Sequence, residues 1–206
     1  MNQQTMTNRI DEIYTEDARE FAGRYLDYLK SVLDNIDLDA IAAFIHTIID
    51  ARERGAAIFF IGNGGSAATA SHFANDIGIG SNAYDKPFRA ISLTDNVPVI
   101  TALANDFGYD EIFERQLRVL SRPDDVLVAI SASGNSPNLV KSLEYAANAG
   151  LKSVGITAFS GGKLKEMADL VVHVPTGKGE YGPAEDAHMV LDHLVGAYLI
   201  RLVRNA

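Results

Sequence analysis

The sequence predicts an α/β fold: a three-layer, doubly wound, five-stranded parallel sheet with two extra N-terminal helices. Three observations carry this reading. From residue 56 onward, short and continuously apolar runs alternate with longer stretches of helical period. The runs at 57–61 and 126–130 are apolar throughout, as a strand covered on both faces must be, and the others are similar. Parallel strands also need crossover connections, and the helices between the runs supply them on both faces of the sheet.

The chain opens with helix. Ala18, Phe21, Tyr25, Leu29 and Val32 recur at three- and four-residue steps with charged residues between. Asp37 starts a second helix with Ile41, Phe44, Ile45, Ile48 and Ile49 on its apolar stripe, and Arg54-Gly55 ends it with a basic turn and a glycine. These helices, within residues 1–55, have more apolar surface than one face of the sheet needs, which predicts oligomer packing. Residues 56–206 form the core, and no linker, repeat or low-complexity tract interrupts the chain, so a single domain over 1–206 is expected.

Strands are expected at Ala57–Ile61, Arg89–Leu93, Val126–Ile130, Ser153–Ile156 and Leu170–Val174. Helices are expected at Ser66–Ile77, Val97–Ala104, Asp110–Leu120, Pro137–Asn148 and Lys163–Met167. A last helix, Pro183–Val203, starts with proline at its first turn and has an apolar stripe of Ala187, Val190, Leu191, Leu194, Val195, Tyr198 and Leu199. The glycine-rich stretch Pro175–Gly182 before it is either a surface connection or a flexible substrate loop.

Composition narrows the function classes. A net charge of −9 repels phosphate polyanions, so neither nucleic acid nor an anionic membrane is an expected partner. No cysteine is present, which excludes thiol catalysis and disulfides and fits a reducing, cytoplasmic setting. The polar residues Met1–Asn8 lack the apolar core of a secretory signal, and no apolar run approaches the roughly 20 residues that span a bilayer.

Two strand-to-helix loops carry unusual chemistry. Gly62-Asn63-Gly64-Gly65-Ser66 lets backbone approach an anion closely at a helix N-terminus, with Ser66 available as a cap. Ser131-Ala132-Ser133-Gly134-Asn135-Ser136-Pro137 sets three hydroxyls at the mouth of another helix. Together they offer one phosphate many neutral donors without Arg or Lys, which suits an acidic chain.

In these loops and in four further segments the chain resembles the SIS-domain family of sugar isomerases, and within it the branch that isomerises sedoheptulose 7-phosphate. The matching stretches are GNGGSAATASHFAND from Gly62, LTDN from Leu93, ANDFGYDEIF from Ala104, ISASGNSPN from Ile130, ITAFSGG from Ile156 and EDAHMVLDH from Glu185. The resemblance implies a flavodoxin-like fold, a homotetramer and a role in heptose biosynthesis. It implies ketose–aldose isomerisation through an enediol, with phosphate contacts from Ser66, Ser131, Ser133 and Ser136, and with Asn63, Gly64 and Asp95 lining the substrate. Three departures stand out: Ala132 replaces a threonine, Asp76 a glutamate base, and Glu185 a glutamine. Asp76 or Glu185 is then the base, Glu185 also touches substrate, and His193 is the acid. Some members bind zinc through the four positions held here by His72, Asp76, Glu185 and His193.

Helix geometry bears on that set. His72 and Asp76 share a helix face, but Glu185 and His193 lie roughly 12 Å apart along a straight helix. They meet at one site only if the helix bends or begins late, or if a second protomer contributes, which favours a site at or near a subunit interface. His46 and His173 read as packing residues, and His188 as either packing or a supporting residue of the site. The cluster Asp106, Tyr109, Asp110 and Glu111 reads as helix capping and loop solvation. An isomerase of another phosphosugar, or a non-catalytic phosphosugar-binding relative of the initiator-associating kind, remains open.

Overall fold

The computed structural model describes residues 8–205; the polar residues 1–7 lie outside the described residues. Five strands, β1 (Ala57–Gly62), β2 (Arg89–Ser92), β3 (Val126–Ser131), β4 (Lys152–Thr157) and β5 (Leu170–His173), form one sheet in the order β2-β1-β3-β4-β5. Every neighbouring pair is parallel, as the helical crossovers between the strands predict. The central strands β1 and β3 are buried along their whole length. β2 and β5 are the edges, so Ile91 of β2 remains 38% exposed.

The helices are α1 (Arg9–Ile13), α2 (Ala18–Asp34), α3 (Leu38–Arg54), α4 (Gly65–Asn75), α5 (Val97–Phe107), α6 (Glu114–Leu120), α7 (Pro137–Ala149), α8 (Gly162–Met167) and α9 (Tyr181–Arg204). Alternate strand residues serve two separate cores. Ile58, Phe60, Val128 and Ile156 join Phe44 and Ile48 of α3, Phe73 of α4 and Leu191 and Val195 of α9 on one face. Ala57, Phe59, Ile61 and Leu127 join Leu117 of α6, Leu139 and Leu143 of α7 and Leu164 of α8 on the other.

α3 thus forms part of the sheet's cover, whereas α2 buries only Val32. Asp37 caps α3 by accepting from the Asp39 and Ala40 amides, and left-handed Gly55 closes it. His46 faces outward rather than packing, because the buried stripe runs through Ile41, Phe44, Ile45 and Ile48.

Two element ends differ from expectation at functional places. The helix expected to reach Ile77 ends at Asn75 and continues as a π-helical turn, Asp76–Gly80. Such widened turns often accompany functional sites. The last helix begins at Tyr181, with Pro183 in its first turn where no intrahelical N–H bond is lost. The loop before it is tied down. Buried Glu180 accepts from Arg9 N at 2.6 Å, from Gly177 N at 2.7 Å and from the Tyr28 hydroxyl. Among the described residues, no helix is long and apolar enough to cross a membrane.

Candidate functional site

Strands β1 and β3 are neighbours, with Gly62 opposite Ile130. Their outgoing helices cover opposite faces: α4 packs in the first core and α7 in the second. The two loops therefore flank a topological switch point, where open parallel sheets bind ligands. Gly62 permits the tight first turn, since a Cβ there would stand 2.4 Å from the Ser66 carbonyl oxygen. Gly64 (φ 56°) is the N-cap of α4, which puts Ser66 inside the first turn rather than at the cap.

In the second loop, Gly134 N donates to Ser131 Oγ at 3.1 Å and Asn135 N to Ser133 Oγ at 3.4 Å. A hydroxyl that accepts in this way keeps its own hydrogen to give to an anion. Ser136 is the N-cap of α7 without using its side chain as a cap. The helix N-termini of α4 and α7 add unpaired amides and partial positive charge to the same crevice.

The loops are braced by their neighbours. Asn63 and Asn138 exchange reciprocal amide bonds of 2.9 Å, and Tyr109 donates to Asn63 Oδ1 at 2.9 Å. Asn63, Tyr109, Asp110, Ser136 and Asn138 line a cavity of about 350 Å³. Tyr109 thus reaches the first loop. Asp110 and Glu111 instead pair with Lys141 at 2.5 and 2.7 Å, which fits surface solvation. Asp95, exposed after β2, accepts from Ser71 on α4 and from Thr94.

α4 and α9 lie side by side in the same direction and in step. Gly65 meets Glu185, His72 meets Asp192 and His193, and Asp76 meets Gly196. A Cβ on Gly65 would stand 2.2 Å from Glu185 Oε2, so this carboxylate rests against the start of α4. The register splits the four-residue set that the resemblance implied. Within one chain, Glu185 lies at the Gly62–Ser66 end, whereas His72, Asp76 and His193 gather one helix segment further on. Asp192 joins them.

This second cluster is compact. The rings of His72 and His193 meet edge-on with centroids 5.1 Å apart. His72 Nε2 lies 3.5 Å from Asp76 Oδ2 and 3.8 Å from Asp192 Oδ2. Ligand atoms from His72, Asp76, Asp192 and His193 all fall within 4.8 Å of one another, a group able to hold a metal ion. A tetrahedral ion bonded at about 2.0–2.2 Å would hold its ligands roughly 3.3–3.6 Å apart, so little closure is needed. Two imidazoles with carboxylates suit zinc and other first-row ions.

Asp192 has no accessible surface, and neither carboxylate oxygen has a hydrogen-bond partner. Burial, and then the charge of Asp76, push its pKa up to about 7. His188, one turn earlier on the same inner face of α9, is also fully buried, with both ring nitrogens outside hydrogen-bonding geometry. Burial drives its pKa down to about 4, with the Thr157 main chain opposing slightly. His173 is half-buried and paired with Thr157 Oγ1 at 3.0 Å.

His188 makes a pH-dependent contribution of known sign. Folding favours its neutral form, so the unfolded chain binds a proton first as pH falls below about 6.5, and stability is lost from there down to about pH 4. Asp192 acts in the opposite sense over an overlapping range. The His188 effect is therefore the difference between the wild type and His188→Gln in urea unfolding with chelator present. The wild type should lose about 2 kcal/mol relative to the variant between pH 7.5 and pH 5. Parallel pH profiles would contradict this.

A profile described as the SIS domain matches residues 24–158 of the chain. A phosphoheptose isomerase from Helicobacter pylori (strain P12) is 35% identical over 167 residues, 81% of this chain and 85% of that protein. A probable phosphoheptose isomerase from Thermoplasma acidophilum is 35% identical over 178 residues, 86% of this chain and 97% of the other. Among solved structures, the phosphoheptose isomerase from Neisseria gonorrhoeae superposes with a TM-score of 0.78 at 28% identity. That match covers 88% of this chain and 97% of the other.

Proposed function

This chain belongs to the SIS domain family, and from that premise we propose that it is an aldose–ketose isomerase converting sedoheptulose 7-phosphate into an aldoheptose 7-phosphate. The supporting observation is a spacing. Anion-binding donors lie at the start of α4 and a histidine–carboxylate cluster lies near its end, with Ser66 and His72 about 9 Å apart along the helix axis. From the carbonyl carbon to the phosphorus of an extended heptulose 7-phosphate is also about 9 Å by bond lengths. A triose phosphate anchored by the same loops would fall several ångström short.

In this reading the hydroxyls of Ser66, Ser131, Ser133 and Ser136 and the amides of the Gly64 turn hold the phosphate dianion. Glu185, beside Gly65, accepts hydrogen bonds from sugar hydroxyls, as does Asp95, whereas Asn63, whose Oδ1 already accepts from Asn138 and Tyr109, donates its remaining Nδ2 hydrogen. Asp76 takes a proton from C1 and returns it to C2. His193 gives a proton to the carbonyl oxygen as the enediol forms and takes the C1 hydroxyl proton as the aldehyde appears.

A divalent cation, zinc on the chemistry of the donors, would be held by His72, Asp76 and His193 and would supply Lewis-acid polarisation of that oxygen. A carboxylate has two oxygens and an imidazole two nitrogens, so ligation leaves Asp76 and His193 each one atom for proton transfer. Glu185 as base is disfavoured within one chain, being about 12 Å from His193 along α9. A homotetramer fits α5, an apolar helix with no buried residue, and the neighbouring Val119, 82% exposed.

The test is proton NMR of the purified protein with sedoheptulose 7-phosphate in D2O, with and without added zinc. An aldose anomeric signal and deuterium at C2 are expected. Absence of conversion in both conditions overturns the assignment and leaves a phosphosugar-binding protein or an isomerase of another phosphosugar.

A further inference from the structure

We propose that Asp192 is a metal ligand of this chain, taking within one subunit the coordination place that the family resemblance gives to position 185. The inference rests on the metal-assisted reading above and adds a donor which that reading does not contain. It stands on geometry from two directions.

The first is the register of α4 against α9. Glu185 is held at the Gly65 end of the pair, where its carboxylate lies against the helix start. It is about 10 Å along α9 from residue 192. α9 is one continuous helix of 24 residues, Tyr181–Arg204, so no break brings residue 185 back toward the histidines. The place beside His72, Asp76 and His193 is filled instead by Asp192.

The second direction is the state of Asp192 itself. A carboxylate with no exposed surface normally accepts hydrogen bonds or pairs with a cation, because leaving it bare costs several kcal/mol. Both Asp192 oxygens lack a hydrogen-bond donor. The side chain points at His72 Nε2, 3.8 Å from Oδ2, and its ligand atom lies within 4.8 Å of those of Asp76 and His193. A divalent cation among these four side chains would satisfy the buried acid and separate it from Asp76.

The remaining polar groups of the helix pair do not compete for this role. His188 is buried one turn back and faces the Thr157 side. Asp186 is exposed and engages the Tyr25 hydroxyl at 2.5 Å. Asp192 is thus the inward acid of α9 that lies within reach of both histidines.

The test uses metal binding rather than turnover, so it stands or falls separately from the isomerase assignment. Wild type, Asp192→Asn, Asp192→Ser and Glu185→Gln are stripped with chelator and titrated with Co2+ and Zn2+. Calorimetry, metal content after dialysis and the visible Co2+ spectrum are recorded. One ion per chain is expected in the wild type and in Glu185→Gln, with matching Co2+ spectra.

Both Asp192 variants should bind at least about 100-fold more weakly, since even residues that only orient a ligand cost 10–100-fold. They should also lose the rise in melting temperature that metal gives the wild type. Folding is not the obstacle, because removing an unpartnered buried charge should leave the metal-free protein at least as stable. Wild-type affinity in either folded Asp192 variant, loss of binding in Glu185→Gln alone, or no ion bound by the wild type would overturn the proposal.

Discussion

Gly134→Ala is expected to lose about 3 kcal/mol of stability and most of its affinity for phosphate. Gly134 sits at φ 66°, a left-handed conformation in which a side chain is strained. A Cβ there would also stand 1.8 Å from the Gly161 carbonyl oxygen, which is backbone and cannot rotate away. The Ser131–Ser136 loop is locked to the first turn of α8 by Leu164 N donating to Gly134 O at 3.0 Å and Lys163 N donating to Asn135 Oδ1 at 3.2 Å. Relieving the clash pulls Ser131, Ser133 and Ser136 out of alignment together. A drop of roughly 6–12 °C in melting temperature should accompany weaker inhibition by inorganic phosphate. A variant matching the wild type on both measurements would show that this loop does not grip the anion.

Asp76→Asn should lower kcat by about 10²–10⁴ while leaving KM within a few-fold of wild type. The amide keeps the shape of the side chain but cannot accept the C1 proton. The proposed phosphate donors lie at the other end of α4, so phosphate affinity should survive. His193→Asn should behave similarly, because it removes the group proposed to protonate the carbonyl oxygen. Stopped exchange of the C1 proton with D2O in Asp76→Asn, with exchange persisting in His193→Asn, would separate base from acid. A large rise in KM with unchanged kcat would instead assign Asp76 to binding alone.

The sequence was informative where physics acts locally. The fully apolar runs at 57–61 and 126–130 read as buried strands and are buried strands, each followed by a glycine- and serine-rich loop. Why His72 and Asp76 share a face follows from helix period, and so does the separation of Glu185 from His193. Asp192 was illegible for a different reason. A stripe traced through apolar residues includes Val190, Leu194 and Tyr198, yet these are 39%, 42% and 47% exposed. The buried face of α9 runs through Ala184, Ala187, His188, Leu191, Asp192, Val195 and Leu199. Its three- and four-residue spacing passes through both polar residues. Extending the step from Ala184 to Leu199 without regard to polarity would have exposed them, whereas hydrophobicity alone turned the helix too far. The step between α4 and α9 depends on side-chain packing across chain-distant elements, and no local pattern contains it.

The split of the sheet into two interiors has a mechanical consequence for the proposed anion grip. One jaw, α4, is bolted to the first interior through Ala70 and Phe73, and the other, α7, to the second through Leu139 and Leu143. Packing defects on either side of the sheet would therefore shift a single jaw, changing the aperture between them while the opposite wall stayed in place. Phe59 and Phe60, consecutive in the chain, belong to opposite jaws.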